Sequence, residues 1–374
     1  MKKQRAMHSP FMEWIKTLTP VRYNLTSSGL INYQLSELPV QLNDLELSGA
    51  STYGYKPLQQ ALAKNCNVAE ENIFATIGTS LANHIAMAAV TEPGDEVLIE
   101  HPTYELLLST AQYLGLKVKR FPRRFEDGFK LDVREVERAI TPKTQLIVFT
   151  NLHNPSSVLT DEKTLKQVGA IARSIGARVL VDEVYLDAAF DLKPRSAFHL
   201  GRLSQGVGDL GKEFITTNSL TKVYGLSGLR CGWVLAEPDL VRKMWRLNDL
   251  FTVIPSHPSE RLSVIAIAYL DRITQWARNI LTINHATFNS WLRSRSEVQA
   301  ITPNFGTVIF PCLKSGSVDE LCSLLQEKYS TAIVPGKFFE MANHFRIGLG
   351  CQTETLEAGL RNIASALDEL TPNT

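Results

Sequence analysis

The sequence predicts an α/β fold: a large domain with a mainly parallel seven-stranded sheet between helices, followed by a smaller α+β domain. Three observations carry this reading. From about Asn72, short β-branched runs alternate with longer amphipathic ones, the pattern of strands joined by crossover helices. The strand segments are nearly continuously apolar, as in a sheet covered on both faces. After Pro255 and Pro258 the alternation gives way to a long helical stretch and a few short strands.

In chain order, "NIFATIG" reads as a strand and "SLANHIAMAAV" as the helix after it. "DEVLIE" is a strand, "YELLLSTAQYLG" a helix ending at Gly115, and "KVKRF" a strand. "QLIVFT" is a strand, and "DEKTLKQVGAIARSIG" a helix opened by Asp161 and closed by Gly176. "RVLVDEVY", "FITTNS" and "RCGWVLA" complete the seven. Beyond Pro258, residues 259–294 carry Leu262, Ile265, Ala266, Tyr269 and Leu270 at helical spacing and read as one long helix. "GTVIF", "TAIVP" and "FRIGLG" read as short strands, with helices at "SVDELCSLLQEKY" and "ETLEAGLRNIASALDEL". The expected division is residues 40–255 as the large domain, and residues 1–39 with 256–374 as the small domain and its N-terminal arm. The arm is Pro-interrupted and weakly patterned, so it is expected to drape over a neighbour.

Composition narrows the function classes. The chain has 374 residues, a formal net charge of +1 and 21% charged residues, so no basic bias points to nucleic acid. Five scattered cysteines form no CxxC pair, which suits reduced thiols in a cytoplasmic protein and no metal site. No apolar run approaches the ~20 residues of a spanning helix. The basic N-terminus has no apolar segment after it, so no signal peptide is read.

Ligands of α/β sheets bind beyond the carboxyl ends of the strands. The residues just past each strand are therefore informative. Gly78-Thr79-Ser80 opens a helix, and Thr103-Tyr104 come after His101-Pro102. Asn154 lies in "NLHNP", Asp182 and Tyr185 in "VDEVY", and Ser219 and Lys222 in "SLTK". These polar or aromatic clusters share one predicted edge and describe a lined pocket.

Each has a chemistry. A helix N-terminus with Thr79 and Ser80 suits a phosphate, although "GTS" alone is an ordinary N-cap. Arg230 offers a planar, always-charged fork to the same anion, with Ser219 beside it. The surroundings of Arg230 read as buried. Asp182 ends an apolar strand, where a carboxylate needs a partner. A general base, the partner of a buried cationic nitrogen and a structural turn cap all remain open, while a metal ligand lacks companions at suitable spacing. Tyr104 can stack on a flat ring or serve as a core aromatic, and Asn154 can be a turn residue before Pro155. Lys222 decides among these. A lysine in a low-dielectric pocket near Arg230 has a lowered pKa, and its neutral amine is a nucleophile toward carbonyls. The pocket then outlines one ligand: a phosphate at Gly78–Ser80, Ser219 and Arg230, a ring against Tyr104, a ring nitrogen at Asp182, a ring hydroxyl at Asn154 and Tyr185, and an aldehyde forming a Schiff base with Lys222.

The run "SLTKVYGLSGLRCGW" resembles the S-x-x-K-x-x-x-x-x-x-x-R signature of the class I/II pyridoxal-phosphate aminotransferases, fold type I. "NLHNPSSV" is similar to their N-x-x-NPTG, "VDEVY" to their D-E-x-Y, and "PTYELL" to their P-x-Y segment. "HFRIGLG" resembles their late segment whose arginine binds the substrate α-carboxylate, here Arg346. The resemblance runs from about residue 48 to about 350. It implies pyridoxal 5'-phosphate as cofactor, Lys222 as the residue that holds it and later moves the proton, and Asp182 as the keeper of the pyridine nitrogen's proton. It also implies an α-amino acid and a 2-oxo acid as substrates, a homodimer with active sites at the interface, and an N-terminal segment placing Ser28-Gly29 near the carboxylate.

Departures are visible. "NPSSV" puts a serine where the family's turn glycine usually stands. "ELSGASTYGYKPLQQAL" is a shortened form of the family's Y-x-x-x-x-G-x-x-x-L-R, with Gly49 at the tyrosine position, Gln59 at the arginine position and Tyr53 as the candidate to reach a neighbouring subunit's cofactor. "GVGDLG", Gly206–Gly211, matches G-x-G-x-x-G without the strand–turn–helix context and reads as a loop. A carbon–sulfur β-lyase on the same scaffold is the alternative activity. A ligand-sensing regulator is disfavoured by the retained catalytic residues. His101, His153 and Trp14 are candidates for the side-chain pocket, with a structural role favoured for each.

Overall fold

The computed structural model describes residues 7–200 and 212–370. Seven strands form the central sheet: β1 (Ile73–Thr76), β2 (Glu96–His101), β3 (Lys117–Pro122), β4 (Thr144–Thr150), β5 (Arg178–Asp182), β6 (Phe214–Ser219) and β7 (Gly232–Leu235). Their spatial order is β1-β7-β6-β5-β4-β2-β3. Only β7 runs against its neighbours, pairing antiparallel with both β1 and β6. Strand number, parallel bias and helical coverage agree with the sequence.

The near-continuous apolar strands are explained by burial on both sides. Val97, Ile99, Leu146, Val148, Leu180 and Ile215 face one core, together with Ala82, Ile85, Ala86 and Met87 of the helix Thr79–Val90. The alternate residues Leu98, Ile147, Phe149, Val179, Val181 and Phe214 face a second core, against Leu165, Val168 and Ala172 of the helix Glu162–Ser174. That helix begins as the sequence indicates: the Asp161 side chain accepts from the Thr164 N–H at 2.7 Å. Gly176, at φ 74°, lies just past its end.

The C-terminal part carries a three-stranded antiparallel sheet in which Phe345–Gly348 is flanked by Val308–Ile309 and Val334–Pro335. The expected long helix over residues 259–294 is two helices, His257–Ala268 and Leu270–Arg293. Tyr269, at φ −109° and ψ 16°, leaves helical geometry without any Gly or Pro to announce it. The N-terminal arm does drape over neighbours. It forms the short helix Pro10–Thr17, then an extended strap tied to three places by backbone bonds: Leu25 N–H to Ala332, Leu30 N–H to Lys222 and Ile31 N–H to Gly350. The Gly206–Gly211 motif lies outside the described residues.

Candidate active site

The carboxyl ends of the parallel strands and the start of antiparallel β7 meet at one sheet edge. Asp182 is registered against Thr150 on one side and Thr217 on the other. Ser219 is opposite Gly232, which is opposite Thr76. The segments carrying Gly78, Tyr104, Asn154, Asp182, Tyr185, Ser219, Lys222 and Arg230 therefore converge, as the sequence reading requires.

Lys222 lies just beyond β6 and is covered by the strap. Its Nζ donates to Ser28 Oγ at 2.9 Å. Gly29 sits so close that a Cβ there would lie 3.2 Å from the Lys222 carbonyl oxygen and 3.3 Å from its Cδ. Burial, then the positive charges of Arg346 and Arg230, push the Lys222 amine down to about 8, against the pull of Asp182.

Asp182 shares the face of β5 with Leu180, which places it under the helix Thr79–Val90. From that helix Asn83 Nδ2 donates to Asp182 Oδ2 at 2.7 Å, and Asn83 Oδ1 accepts from Thr217 Oγ1 at 2.7 Å. The Val184 N–H donates to Oδ1 at 3.1 Å. Burial nevertheless raises the carboxyl to about 6. A buried carboxylate so placed would gain from a cationic N–H partner, and sequence reasoning had not identified Asn83. Its signal is an amide on the buried face of an apolar helix.

At the other end, Gly78 caps the helix at φ 92°, and a Cβ there would collide with Arg230 Nη2. A Cβ on Gly232 would lie 2.6 Å from Gly78 Cα. Two glycines thus let the helix N-terminus, β7 and the guanidinium close on one another. The first helical N–H groups have no intrahelical acceptor. The hydroxyls of Thr79 and Thr221 are buried with no hydrogen-bond partner. Free donors, orphan hydroxyls and a guanidinium fit a phosphate. Ser219 is buried beside them, its Oγ accepting from the Thr221 N–H at 3.3 Å, and Ser80 is exposed. One expectation is corrected: Arg230 is exposed rather than in buried surroundings, because the Ser227–Leu229 turn before it lies at the surface. Its two terminal nitrogens rest on the Ser227 and Ile77 carbonyls at 3.2 and 3.4 Å.

Arg346, on the strand Phe345–Gly348, is almost completely buried. Nη1 donates to Asn154 Oδ1 at 3.2 Å and Nη2 to the Thr26 carbonyl at 3.1 Å, while Nε has no partner. The Phe11 and Phe339 rings lie 5.5 and 5.2 Å from its guanidinium carbon. With Oδ1 of Asn154 taken by Arg346, the amide nitrogen is the end left to donate. Tyr104 is half-buried, edge-on to Phe11, with its hydroxyl 3.7 Å from Met12 Sδ. Tyr185 is buried; burial raises its phenol, partly opposed by Arg346 and by Ser28.

Behind this wall lies a network the sequence reading missed. Glu100 and Arg123 form an ion pair at 2.9 Å with both side chains wholly inaccessible. Glu100 Oε1 accepts from the Thr150 N–H at 2.7 Å and from its hydroxyl at 2.8 Å, and that hydroxyl accepts from the Asn154 N–H at 2.8 Å. His153 is buried here rather than lining a substrate pocket. Its Nε2 lies 3.0 Å from the Pro102 carbonyl, which can only accept, so Nδ1 is the acceptor for Ser156 Oγ at 2.6 Å. Ser157, the residue in place of the family's turn glycine, has φ 60° and donates to the Val308 carbonyl at 2.7 Å. Tyr53 is 57% exposed, with its hydroxyl 3.0 Å from Asp249 Oδ2. Trp14 packs on Phe338 at 5.2 Å. Among the described residues no group of three or more His, Cys, Asp or Glu is arranged to hold a metal ion.

The family model "Aminotransferase class I and II" matches residues 43–363. Capreomycidine synthase of Streptomyces vinaceus is 27% identical over 372 residues, covering 96% of this chain and 93% of that protein. An aspartate aminotransferase of Sulfolobus acidocaldarius is 24% identical over 338 residues, covering 86% and 82%. Among solved structures, a PLP-dependent aminotransferase from Streptococcus suis superposes with a TM-score of 0.86 at 24% identity, covering 99% of this chain and 100% of that one. The PLP-dependent cyclase OrfR superposes at 0.85 with 23% identity, covering 99% and 100%. The two structural likenesses establish the fold.

Proposed function

The chain belongs to the class I and II aminotransferases, and from that premise we propose that it moves an amino group between an α-amino acid and a 2-oxo acid, using pyridoxal 5'-phosphate held at Lys222. The observation that carries this is the Lys222 amine, held by the Ser28 hydroxyl at 2.9 Å and lowered by burial and by the charges of Arg346 and Arg230, with a buried carboxylate, Asp182, at the same sheet edge. When bound, the cofactor supplies a carbonyl for the amine and a ring that withdraws electrons from the substrate Cα. The phosphate would be held by the N-terminus at Gly78, Thr79 and Ser80, with Ser219 and Arg230. Tyr104 would cover the ring, Asp182, fixed by Asn83, would keep a proton on the ring nitrogen, and Asn154 and Tyr185 would donate to the ring hydroxyl. Arg346 and the Gly29 backbone take the substrate α-carboxylate. Lys222 Nζ, whose neutral fraction is enlarged by its lowering to about 8, would take the substrate Cα proton as general base and give it back as general acid.

We read residues 40–255 as the cofactor-binding domain, and residues 1–39 with 256–374 as the small domain. A second copy of the chain is the expected partner: Leu250, Phe251 and Val253 are exposed apolar side chains just past Asp249, to which Tyr53 is bonded, and Tyr53's own reach would extend to that copy's site. Five unpaired cysteines support a reducing compartment, the cytoplasm. No helix among the described residues is long and apolar enough to cross a membrane.

The test is the visible spectrum of the purified protein as amino acids are added one at a time, with Lys222→Ala alongside. A donor that bleaches the yellow band, restored by a 2-oxo acid, identifies amino transfer. Persistence of the band with accumulation of pyruvate and ammonia would instead be carbon–sulfur β-elimination, which the family match does not favour. A protein that takes up no pyridoxal phosphate would overturn the assignment.

A further inference from the structure

The strap residue Ser28 touches the reactive amine, and neither its position nor its polarity is accidental. Its carbonyl accepts from Thr307 Oγ1 at 2.8 Å. The strap on either side is pressed against glycines: a Cβ on Gly348 would collide with the Ser27 carbonyl, and one on Gly350 with the Gly29 carbonyl. The Gly348 N–H donates to the Leu25 carbonyl at 2.8 Å and the Leu30 N–H to the Lys222 carbonyl at 2.8 Å. The Ser28 side chain, 8% exposed, is therefore delivered to a fixed point over Lys222. There it accepts from Lys222 Nζ at 2.9 Å, with the Tyr185 phenol in its electrostatic neighbourhood. With its acceptor lone pair facing the Lys222 N–H, the hydroxyl hydrogen of Ser28 is free to point at Tyr185 Oη.

We propose that Ser28 is a positioning residue of the amino-transfer site, its hydroxyl holding the freed Lys222 amine in the position from which it takes and returns the substrate proton. The proposal rests on the aminotransferase reading above. A neutral lysine amine has two N–H bonds and one lone pair. One N–H directed into Ser28 Oγ leaves a single rotation about the Cε–Nζ bond at which the lone pair meets the substrate Cα–H. In the step itself the electron pair of the Cα–H bond stays with the substrate, the proton goes to Nζ, and the resulting ammonium keeps its bond to Ser28. On return, Nζ gives one proton back and is neutral again. Ser28 is never deprotonated.

The experiment uses Ser28→Ala and Ser28→Thr, each read in two ways. In the apoprotein, competitive labelling with acetic anhydride against pH, followed by peptide mass spectrometry, gives the apparent pKa of Lys222. Loss of the acceptor in Ser28→Ala lowers it by about one unit, the size expected for one hydrogen bond to a charged group, and Ser28→Thr restores it. In the holoenzyme, Ser28→Ala lowers kcat about tenfold with KM for the amino donor unchanged, and the isotope effect with a 2-deuterated donor rises as proton transfer becomes limiting. An unchanged labelling profile with unchanged kcat overturns the proposal and leaves Ser28 a packing residue. A raised KM with unchanged kcat also overturns it, assigning Ser28 to the carboxylate. If the parent protein transfers no amino group with any donor, the failure lies in the functional reading, and the labelling arm still reports on the Lys222–Ser28 contact.

Discussion

Glu100→Gln tests how far the site depends on the buried pair behind it. The substitution keeps shape and removes charge. Oε1 of Glu100 accepts two bonds from Thr150, so the amide oxygen of Gln takes that place and its NH2 faces Arg123 Nη1, which sits 2.9 Å from the oxygen being replaced. Two donors then oppose each other where both side chains are wholly inaccessible. Arg123 keeps the Phe129 carbonyl at 2.7 Å and a 3.5 Å contact to Thr160 Oγ1, but no counter-charge. Removing one partner of such a pair costs about 3–5 kcal/mol, a large part of the roughly 5–15 kcal/mol that holds a domain folded. The reverse change, Arg123→Met, costs less. Burial already raises the Glu100 carboxyl, so an unpaired Glu100 escapes by taking up a proton, which arginine cannot do by losing one. The double variant recovers most of the loss. Urea unfolding of the four apoproteins, followed by tryptophan fluorescence, gives the cycle. Glu100→Gln within about 1 kcal/mol of the parent, or additive single effects, would refute the reasoning.

Three further outcomes are expected from the geometry. Reconstitution of the apoprotein with pyridoxal phosphate requires the neutral amine, and Lys222 sits at about 8; the stopped-flow rate therefore climbs about tenfold per pH unit below pH 8 and levels off above it. Gly78→Ala combines a strained φ of 92° with a collision against Arg230, so the dissociation constant for pyridoxal phosphate, measured by fluorescence titration, rises about tenfold or more for a loss of roughly 1–3 kcal/mol. Arg346→Lys removes the planar fork, and the KM for the amino donor rises about 10–100-fold, as for loss of one charge-assisted bond of roughly 1.5–3 kcal/mol; an unchanged KM in steady-state assays would place the carboxylate elsewhere.

The central sheet was legible because both of its faces are buried over most strands, which makes them largely apolar runs; the edge strand Lys117–Pro122, with Lys117 exposed, and Gln145 in the strand Thr144–Thr150 are the interruptions. The strand-end residues were legible for the opposite reason: Asp182, Lys222 and Ser219 are polar where the run has just been apolar. Glu100 carries the same signal, ending "VLIE", but its partner Arg123 lies beyond the next strand and only the parallel pairing of β2 with β3 brings them together. Asn83 is hidden in a helix whose period says only that its face is buried. The contact between Ser28 and Lys222 spans 194 residues and depends on the strap's docking, which no local pattern encodes. The break at Tyr269 escapes for want of any helix-ending residue. The exposure of Arg230 escapes because apolar neighbours in sequence do not tell which way a turn faces.

Ser157 and Gly306 form a pair whose meaning is historical as much as mechanical. A serine at φ 60° is uncomfortable, yet its hydroxyl reaches the Val308 carbonyl. It does so only because Gly306 has no side chain; a Cβ there would collide with Ser157 Oγ. The two positions are thereby bound as one heritable choice. A lineage that held glycine at 157 could have let 306 drift, so far as this contact is concerned, whereas one that adopts serine closes that freedom, and a side chain regained at 306 has first to displace the serine. Chains of this family that carry Ser at the turn are accordingly expected to carry Gly at the facing loop, a covariation that a library randomised at both codons and selected for growth would expose directly.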